Sequence, residues 1–290
     1  MTVPKLTAGY EVTGRWNKKK YAVISQLGKG GTARVYLALD KVSGNNVALK
    51  ISENFSSLNR EYNIMRLLSA NKFSPQVYEI DDCKIMGKFY NYIAMEYIQG
   101  TTLKMLINQP IEPKTALSII KFIAIALGIL HKNGYIYCDL KPENIIYDKR
   151  KSRIVLIDFG GAVKKGSCVV EYTPVFDRSS WGIGTRRADE SYDIFALSML
   201  LMILLKGELY NPSKQEFYKI IKESDVLKME PIKKGLLMKY SNIWEFYRDI
   251  KSMKNTGLNK EYDKILNSIL VIAISIFLGI IIAAYKIIGF

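Results

Sequence analysis

Short runs in which apolar and polar residues alternate fill the first third of the chain: YAVISQL from Tyr21, RVYLALD from Arg34, NVALKIS from Asn46, QVYEID from Gln76 and NYIAMEYI from Asn91. A period of two puts one face of a strand on a core, and the Gly, Asn and Asp residues between runs supply turns. The pattern predicts an antiparallel sheet of about five strands, interrupted by one helix from about Ser57 to Ala70. After Gly100 the apolar spacing becomes helical, most clearly from about Glu112 to Lys132, where Asn133-Gly134 marks the stop. Two short apolar strands, YIYCD from Tyr135 and RIVLID from Arg153, come next, and an apolar helix follows from about Ser191 to Leu205. The predicted class is α+β: a small sheet-rich lobe, then a mainly helical one, with a hinge near Met95 to Gly100.

The C-terminal pattern differs. From Ile265 to Tyr285 no charged residue occurs, and Asn267, Ser268 and Ser275 are the polar interruptions of a run of Ile, Leu, Val, Ala and Phe. At about 1.5 Å rise per residue, roughly twenty such residues cross a hydrocarbon layer of about 30 Å, so the run predicts a single transmembrane helix. Lys251, Lys254, Lys260 and Lys264 precede it and Lys286 follows, which by the positive-inside rule holds the long N-terminal part in the cytoplasm, at the inner face of the cell membrane. The opening segment, MTVPKLTAGYEVTGRWNKKK, lacks the apolar stretch of a secretory signal. The expected plan is an N-terminal extension at 1–20, one catalytic domain at 21–257 whose lobes meet near 97–98, a linker at 258–264, the span at 265–285 and a short tail at 286–290.

Charge narrows the partners without choosing one. Lys and Arg number 42 against 27 Asp and Glu, a formal charge of +15, which favours anionic lipid, phosphorylated ligands or nucleic acid. A DNA contact is one candidate, although no aromatic-and-basic binding module accompanies it. Cys83, Cys138 and Cys168 have no metal-ligand spacing and suit a reducing compartment.

Candidate chemistry lies in ordered motifs. Gly28-Lys29-Gly30-Gly31, running on to Val35, falls between two predicted strands and forms a hairpin whose backbone approaches phosphates without side-chain obstruction. Val47-Ala48-Leu49-Lys50 is a strand ending in a lysine beneath that hairpin, and Glu61 on the next helix supplies the counter-charge that a buried ammonium requires. Tyr137-Cys138-Asp139-Leu140-Lys141-Pro142-Glu143-Asn144 and Ile157-Asp158-Phe159-Gly160 complete the set. Phosphoryl transfer needs a carboxylate to orient the attacking hydroxyl and oxygen ligands for Mg2+. Asp139 fits the base, Lys141 a stabiliser of the transferring group, and Asn144 and Asp158 the metal ligands.

Over about Tyr21 to Leu205 these motifs resemble those of eukaryotic-type (Hanks-type) serine/threonine protein kinases. The resemblance implies a two-lobed fold and transfer of the ATP γ-phosphoryl group to Ser and Thr hydroxyls of protein substrates, with Mg2+. It places Gly28, Lys29, Gly30, Gly31, Val35, Ala48 and Lys50 around the nucleotide, Met95 as the gatekeeper, and the backbone of Glu96 and Ile98 against adenine. Asp193 corresponds to the aspartate that holds the catalytic loop, and Thr173-Pro174 to the segment receiving the substrate. Lys141 together with Thr173-Pro174 is the serine/threonine pattern. The single span is similar to that of short bacterial membrane-anchored kinases without an extracellular sensor domain, with self-association and autophosphorylation as further expectations.

The chain also departs from that family. Tyr137-Cys138 stands where His-Arg is usual; Tyr137 can still stack on Phe159, but a thiol cannot grip a phosphorylated loop. Val169, four residues before Thr173, cannot be phosphorylated, so activity without the usual phosphate clamp is expected, with Ser167 and Thr173 as candidate autophosphorylation sites. Ala33 replaces the third glycine, and about ten residues separate Lys50 from Glu61, fewer than usual. Arg178-Ser179-Ser180 replaces Ala-Pro-Glu and removes a structural carboxylate. His131 reads as a helix cap and Cys138 as a small packing residue. Two alternatives remain beside the protein kinase: a nucleotide-binding pseudokinase scaffold, suggested by these losses, and a small-molecule kinase, against which Lys141 and Thr173-Pro174 argue.

Overall fold

A computed structural model describes residues 3–227 and 229–253, so the expected transmembrane helix at 265–285, its linker and its tail lie outside the described residues. Contacts gather Met1–Arg248 into one unit. Six strands, β1 (Glu11–Thr13), β2 (Lys20–Lys29), β3 (Ala33–Asp40), β4 (Asn46–Ser52), β5 (Val77–Ile85) and β6 (Lys88–Glu96), form one antiparallel sheet in the order β1-β2-β3-β4-β6-β5. A bridge between Gly14 and Cys83 joins the two edges and curls the sheet on itself. Tyr21, Val23, Tyr36, Ala38, Leu49, Ile51, Cys83 and Tyr92 fill the inside. Helix α1 (Phe55–Ser69) packs on β5 and β6; Asn54 caps it by accepting the Ser57 amide.

The sheet gains a strand over the expected five, because the first twenty residues belong to it. Val3, Leu6 and Val12 are buried in the same core, and the Tyr36 hydroxyl donates to the Pro4 carbonyl (3.1 Å) while accepting the Leu6 amide (3.1 Å). The segment read as an extension at 1–20 is therefore part of the small lobe. Its sparse apolar residues carry no long periodicity, which is why the sequence pattern missed it.

The second lobe begins at β7 (Gly100–Thr102) and contains α2 (Pro113–Lys132), β8 (Tyr135–Ile136), β9 (Ile145–Asp148), β10 (Arg153–Leu156), β11 (Val163–Lys164), α3 (Glu190–Lys206), α4 (Phe217–Val226), α5 (Glu230–Leu236) and α6 (Ile243–Ser252). Strands β10, β9 and β7 form one small sheet, and β11 pairs with β8. Helix α3 is buried on all sides and packs against α2 and α5. Among the described residues α2 alone has the length and apolarity of a membrane span, and it packs against α1, α3, β8 and β10. The two strands expected at YIYCD and RIVLID are shorter than their apolar runs. Extended structure stops at Ile136 and Leu156, and Cys138 (φ +65°) and Asp158 (φ +60°) then turn through left-handed backbone.

Candidate active site

Register decides which side chains face the cleft. Val35 and Ile93 lie opposite Lys50, and Leu37 and Met95 lie opposite Ala48. Because side chains alternate along a strand, Val35, Ala48, Lys50 and Met95 share the face turned away from the Leu49 and Ile51 core. The glycine-rich hairpin links β2 to β3 through a bond from the Gly30 amide to the Ala33 carbonyl (2.9 Å), and its tip is tied to β4 by the Ser52 hydroxyl on the Thr32 carbonyl (3.1 Å). A Cβ on Gly28 or Gly31 would meet nothing within 4 Å. The fold itself thus does not require these glycines, and the open space above them suits a group that approaches the backbone closely. Lys29 is exposed on the same hairpin.

The buried Lys50 ammonium lies between two carboxylates, 2.6 Å from Glu61 Oε2 and 2.9 Å from Asp158 Oδ1. Burial would lower its pKa, but the charges of Glu61 and Asp158 more than offset this and hold it above the ordinary lysine value. Burial pushes Glu61 up, with Lys50 opposing. The Lys50 charge, chiefly, holds Asp158 below the usual carboxylate range. Glu61 also accepts the Phe159 amide (3.2 Å), and Arg60, one residue earlier on α1, donates to the Gly160 carbonyl (3.1 Å). The short connection from β4 to α1 therefore does bring the expected pair together. Arg60 was not singled out in the sequence, although its place beside Glu61 on the helix was a usable signal.

The loop from Tyr137 to Asn144 is shaped by Asp193, which is fully buried on α3. Its two oxygens accept the Tyr137 amide (2.9 Å) and the Cys138 amide (2.9 Å), which holds Cys138 in its left-handed conformation. Such a conformation costs on the order of 1–3 kcal/mol and persists only when its surroundings enforce it. Tyr137 donates to the Ile157 carbonyl (2.8 Å) and packs edge-on against Phe159 at 5.3 Å. Asp139 then projects into a polar cluster. Lys141 Nζ and Asn144 Nδ2 (3.2 Å) both donate to its Oδ2, and the Thr173 hydroxyl donates to its Oδ1 at 3.1 Å. That last bond puts a side-chain hydroxyl directly on the Asp139 carboxylate.

The donor set fits Mg2+. Asn144 spends its amide nitrogen on Asp139, and Asp158 uses Oδ1 for Lys50 and for the Gly160 amide (3.3 Å). The Asn144 side-chain Oδ1 and Asp158 Oδ2 are then the hard oxygens left to a cation that keeps waters and binds phosphate oxygens. Among the described residues no group of three or more His, Cys, Asp or Glu is placed to hold a metal ion, so they form no all-protein cage. At the hinge, Met95 and Ile98 are buried where the lobes join. The Glu96 side chain accepts from Arg153 (2.7 Å) and Lys151 and turns toward β10, and its amide donates to the Gln76 carbonyl (2.7 Å).

The departures noted in the sequence have physical replacements. Cys138 joins Ile136, Val169, Ala188 and Tyr192 in an apolar cluster flanked by Val163, so packing stands where an arginine would meet a phosphate. Burial pushes the Cys138 thiol well up, which keeps it protonated and favours the packing role over a reactive one. The carboxylate lost from Ala-Pro-Glu is answered by an arginine. Buried Arg178 makes paired contacts with Asp189 (2.8 and 3.0 Å) and also reaches the Thr185 and Arg187 carbonyls and the Ser191 hydroxyl. Asp177 accepts from Ser180, Tyr192 and Arg186. His131 is not a cap: its Nε2 is 2.8 Å from Asp193 and its Nδ1 3.3 Å from Glu190, the latter within ion-pair reach but without hydrogen-bond geometry. Burial lowers its pKa, and the two carboxylates reverse this and raise it to about 9. His131 thus braces Asp193 from behind.

Comparison with known proteins agrees with this geometry. The protein kinase domain family matches residues 21–273. The serine/threonine-protein kinase YabT of Bacillus subtilis is 34% identical over 240 residues, covering 81% of this chain and 68% of that protein. Its relative PrkC from the same organism is 31% identical over 216 residues, covering 69% and 32%. The probable serine/threonine-protein kinase PknB of Lactococcus lactis is 31% identical over 208 residues, covering 66% and 32%. The matched part is about a third of the length of the last two.

Proposed function

Because the chain belongs to the protein kinase domain family and is a Hanks-type serine/threonine protein kinase, we propose the residue roles and the setting in which it works. Asp139 orients the acceptor hydroxyl and receives its proton. Lys141, already on Asp139, turns to the transferring group as negative charge develops there. Lys50, positioned by Glu61, meets phosphate oxygens beneath the glycine-rich hairpin, and Asn144 with Asp158 holds Mg2+. Val35, Ala48 and Met95 line the apolar part of the nucleotide pocket, next to the backbone of Glu96 and Ile98. Bound ATP with Mg2+ supplies the phosphoryl group and the cation that neutralises its charge. Closing Lys50, Asp158 and Lys141 around the phosphates excludes water and strengthens each of these interactions.

The observation that carries this reading is the convergence of Lys50, Glu61 and Asp158 on one side of the cleft with Asp139, Lys141 and Asn144 on the other. Thr173 on Asp139 supports Ser and Thr side chains as acceptors. In a test with ATP, Mg2+ and a generic basic protein, the purified chain is expected to transfer phosphate and Asp158→Ala to lose this. Nucleotide-dependent thermal stabilisation without transfer by the unaltered chain would instead favour a scaffold. The uncharged run at 265–285 supports tethering to the inner face of a membrane of anionic lipid. The full chain should float with phosphatidylglycerol vesicles and a chain ending at 257 should not; equal flotation would remove the tether.

A further inference from the structure

Residues 97–99 join β6 to β7 and belong to neither strand, and among the described residues none of their amides donates to another backbone group. What fixes this connector lies at its two ends. At the first, the Glu96 amide donates to the Gln76 carbonyl (2.7 Å) and Glu96 Oε2 accepts the Gln76 amide (3.2 Å). At the second, Gly100 pairs with Asp148 on β9, at an approach so close that a Cβ on Gly100 would stand 2.3 Å from the Tyr147 carbonyl oxygen.

Arg153 bonds to both ends. It lies opposite Asp148 in the β9–β10 hairpin, its Nε donates to Asp148 Oδ2 (3.1 Å), and its Nη2 donates to Glu96 Oε1 (2.7 Å). Asp148 spends Oδ1 on the Arg150 and Lys151 amides (3.1 and 3.3 Å), so the same carboxylate also fixes the turn of that hairpin. The side chains of Arg153, Glu96 and Asp148 are 11%, 14% and 5% exposed, which shields the bridge from water; Lys151, the other cation on Glu96, is 59% exposed and adds little. Strand β10 is itself tied to the small lobe at its far end, where the Leu156 amide donates to the Phe73 carbonyl (2.8 Å). One guanidinium thus spans from the last residue of β6 to the partner of the first residue of β7.

We propose that Arg153 is a positioning residue for selection of the nucleotide base: by holding Glu96 and Asp148 at a fixed separation, it sets the backbone of Glu96 and Ile98 in place for adenine before the nucleotide arrives. This rests on the reading of that backbone as the adenine contact. A backbone carbonyl only accepts, so it favours the 6-amino group of adenine and disfavours the 6-oxo group of hypoxanthine. Such a bond weakens steeply when its line is bent, so the discrimination depends on where the connector is held. The planar fork of an arginine meets both carboxylates at once, whereas the single point charge of a lysine would not.

The test is calorimetric titration of the full chain with ADP and with inosine diphosphate, each with Mg2+, so that it does not depend on turnover. Arg153→Gln is expected to bind ADP about tenfold more weakly and inosine diphosphate within about twofold of the unaltered chain; tenfold is roughly what one well-placed hydrogen bond supplies. Arg153→Lys should fall between the two. In steady-state assays the loss should appear in KM for ATP and leave kcat and KM for the protein substrate in place. Equal weakening of both diphosphates, no weakening of either, or a lysine variant equal to the unaltered chain would overturn the proposal. Should Arg153→Gln fail to fold, Glu96→Gln, which keeps an oxygen for the Gln76 amide, carries the same comparison, and an unchanged preference for ADP overturns the proposal there too. An unaltered chain that binds both diphosphates equally would remove the adenine contact, and one that binds neither would remove the nucleotide reading on which the proposal stands.

Discussion

Replacing Glu61 by Gln removes one charge from the most buried part of the site while keeping its shape and its bond from the Phe159 amide. The side chains of Lys50 and Glu61 are 9% and 3% exposed, so the pair is shielded from water. Breaking such a pair by deleting one partner costs about 3–5 kcal/mol, because the remaining charge is left uncompensated. Asp158 stays 2.9 Å from Lys50 and recovers part of that loss, but its side chain is half exposed, so the expected cost is at the lower end, about 3 kcal/mol. In the proposed mechanism Asp158 serves the cation during turnover, and Lys50 is then left without either of its two carboxylates. At 1.36 kcal/mol per decade, the same energy corresponds to roughly a hundredfold loss in kcat/KM for ATP. Steady-state phosphorylation of a generic basic protein measures the rate, and urea unfolding measures the stability. A variant within about threefold in rate and about 0.5 kcal/mol in stability would refute the role given to Glu61.

Three further outcomes rest on the same contacts. His131 has a folded pKa of about 9 against an unperturbed 6.5, so its stabilisation is complete below about 6.5 and is lost as pH rises through about 9. The difference amounts to about 3 kcal/mol. Thermal melts of the unaltered chain should fall over that window and those of His131→Gln should be nearly flat; parallel curves would contradict the bracing of Asp193. Arg178→Lys keeps the charge but not the fork that binds Asp189 and two carbonyls, so urea unfolding should show a loss of about 2–4 kcal/mol. A lysine variant as stable as the unaltered chain would remove this anchor. Gly100→Ala would place a Cβ 2.3 Å from the Tyr147 carbonyl oxygen, so β7 must shift from β9, and melting should drop by several degrees; an unchanged melt would show that the hinge strand yields freely.

What the sequence revealed and what it hid have separate physical causes. Strands β2, β3 and β5 were legible because more and less buried positions alternate along parts of them, which writes a period of two into the chain, whereas β4 and much of β6 are buried on both faces and were legible as short apolar runs between turn residues. Lys50, Asp139, Asn144 and Asp158 were legible because they stand in short motifs whose order along the chain is that of the protein kinase family. The strand at Glu11–Thr13 and the buried Val3 and Leu6 were not, since a few apolar residues packed onto an existing sheet need no periodicity. The ends of YIYCD and RIVLID misled because Tyr137 and Ile157 are apolar for reasons of packing, while their backbone serves Asp193 and Asn144 instead of a ladder. The roles of Arg178 and His131 depend on partners eleven and sixty-two residues away, Asp189 and Asp193, which no local spacing announces.

The central claim is that Asp139 directs phosphate onto Ser and Thr hydroxyls. Mass-spectrometric phosphosite mapping of the purified chain after incubation with ATP and Mg2+, beside its Asp139→Asn variant, tests this most directly. The expected result is phosphoserine and phosphothreonine in the unaltered chain, with initial incorporation at least about a hundredfold slower in the variant, the scale of a positioned general base. Equal incorporation at the same sites in both proteins would contradict it.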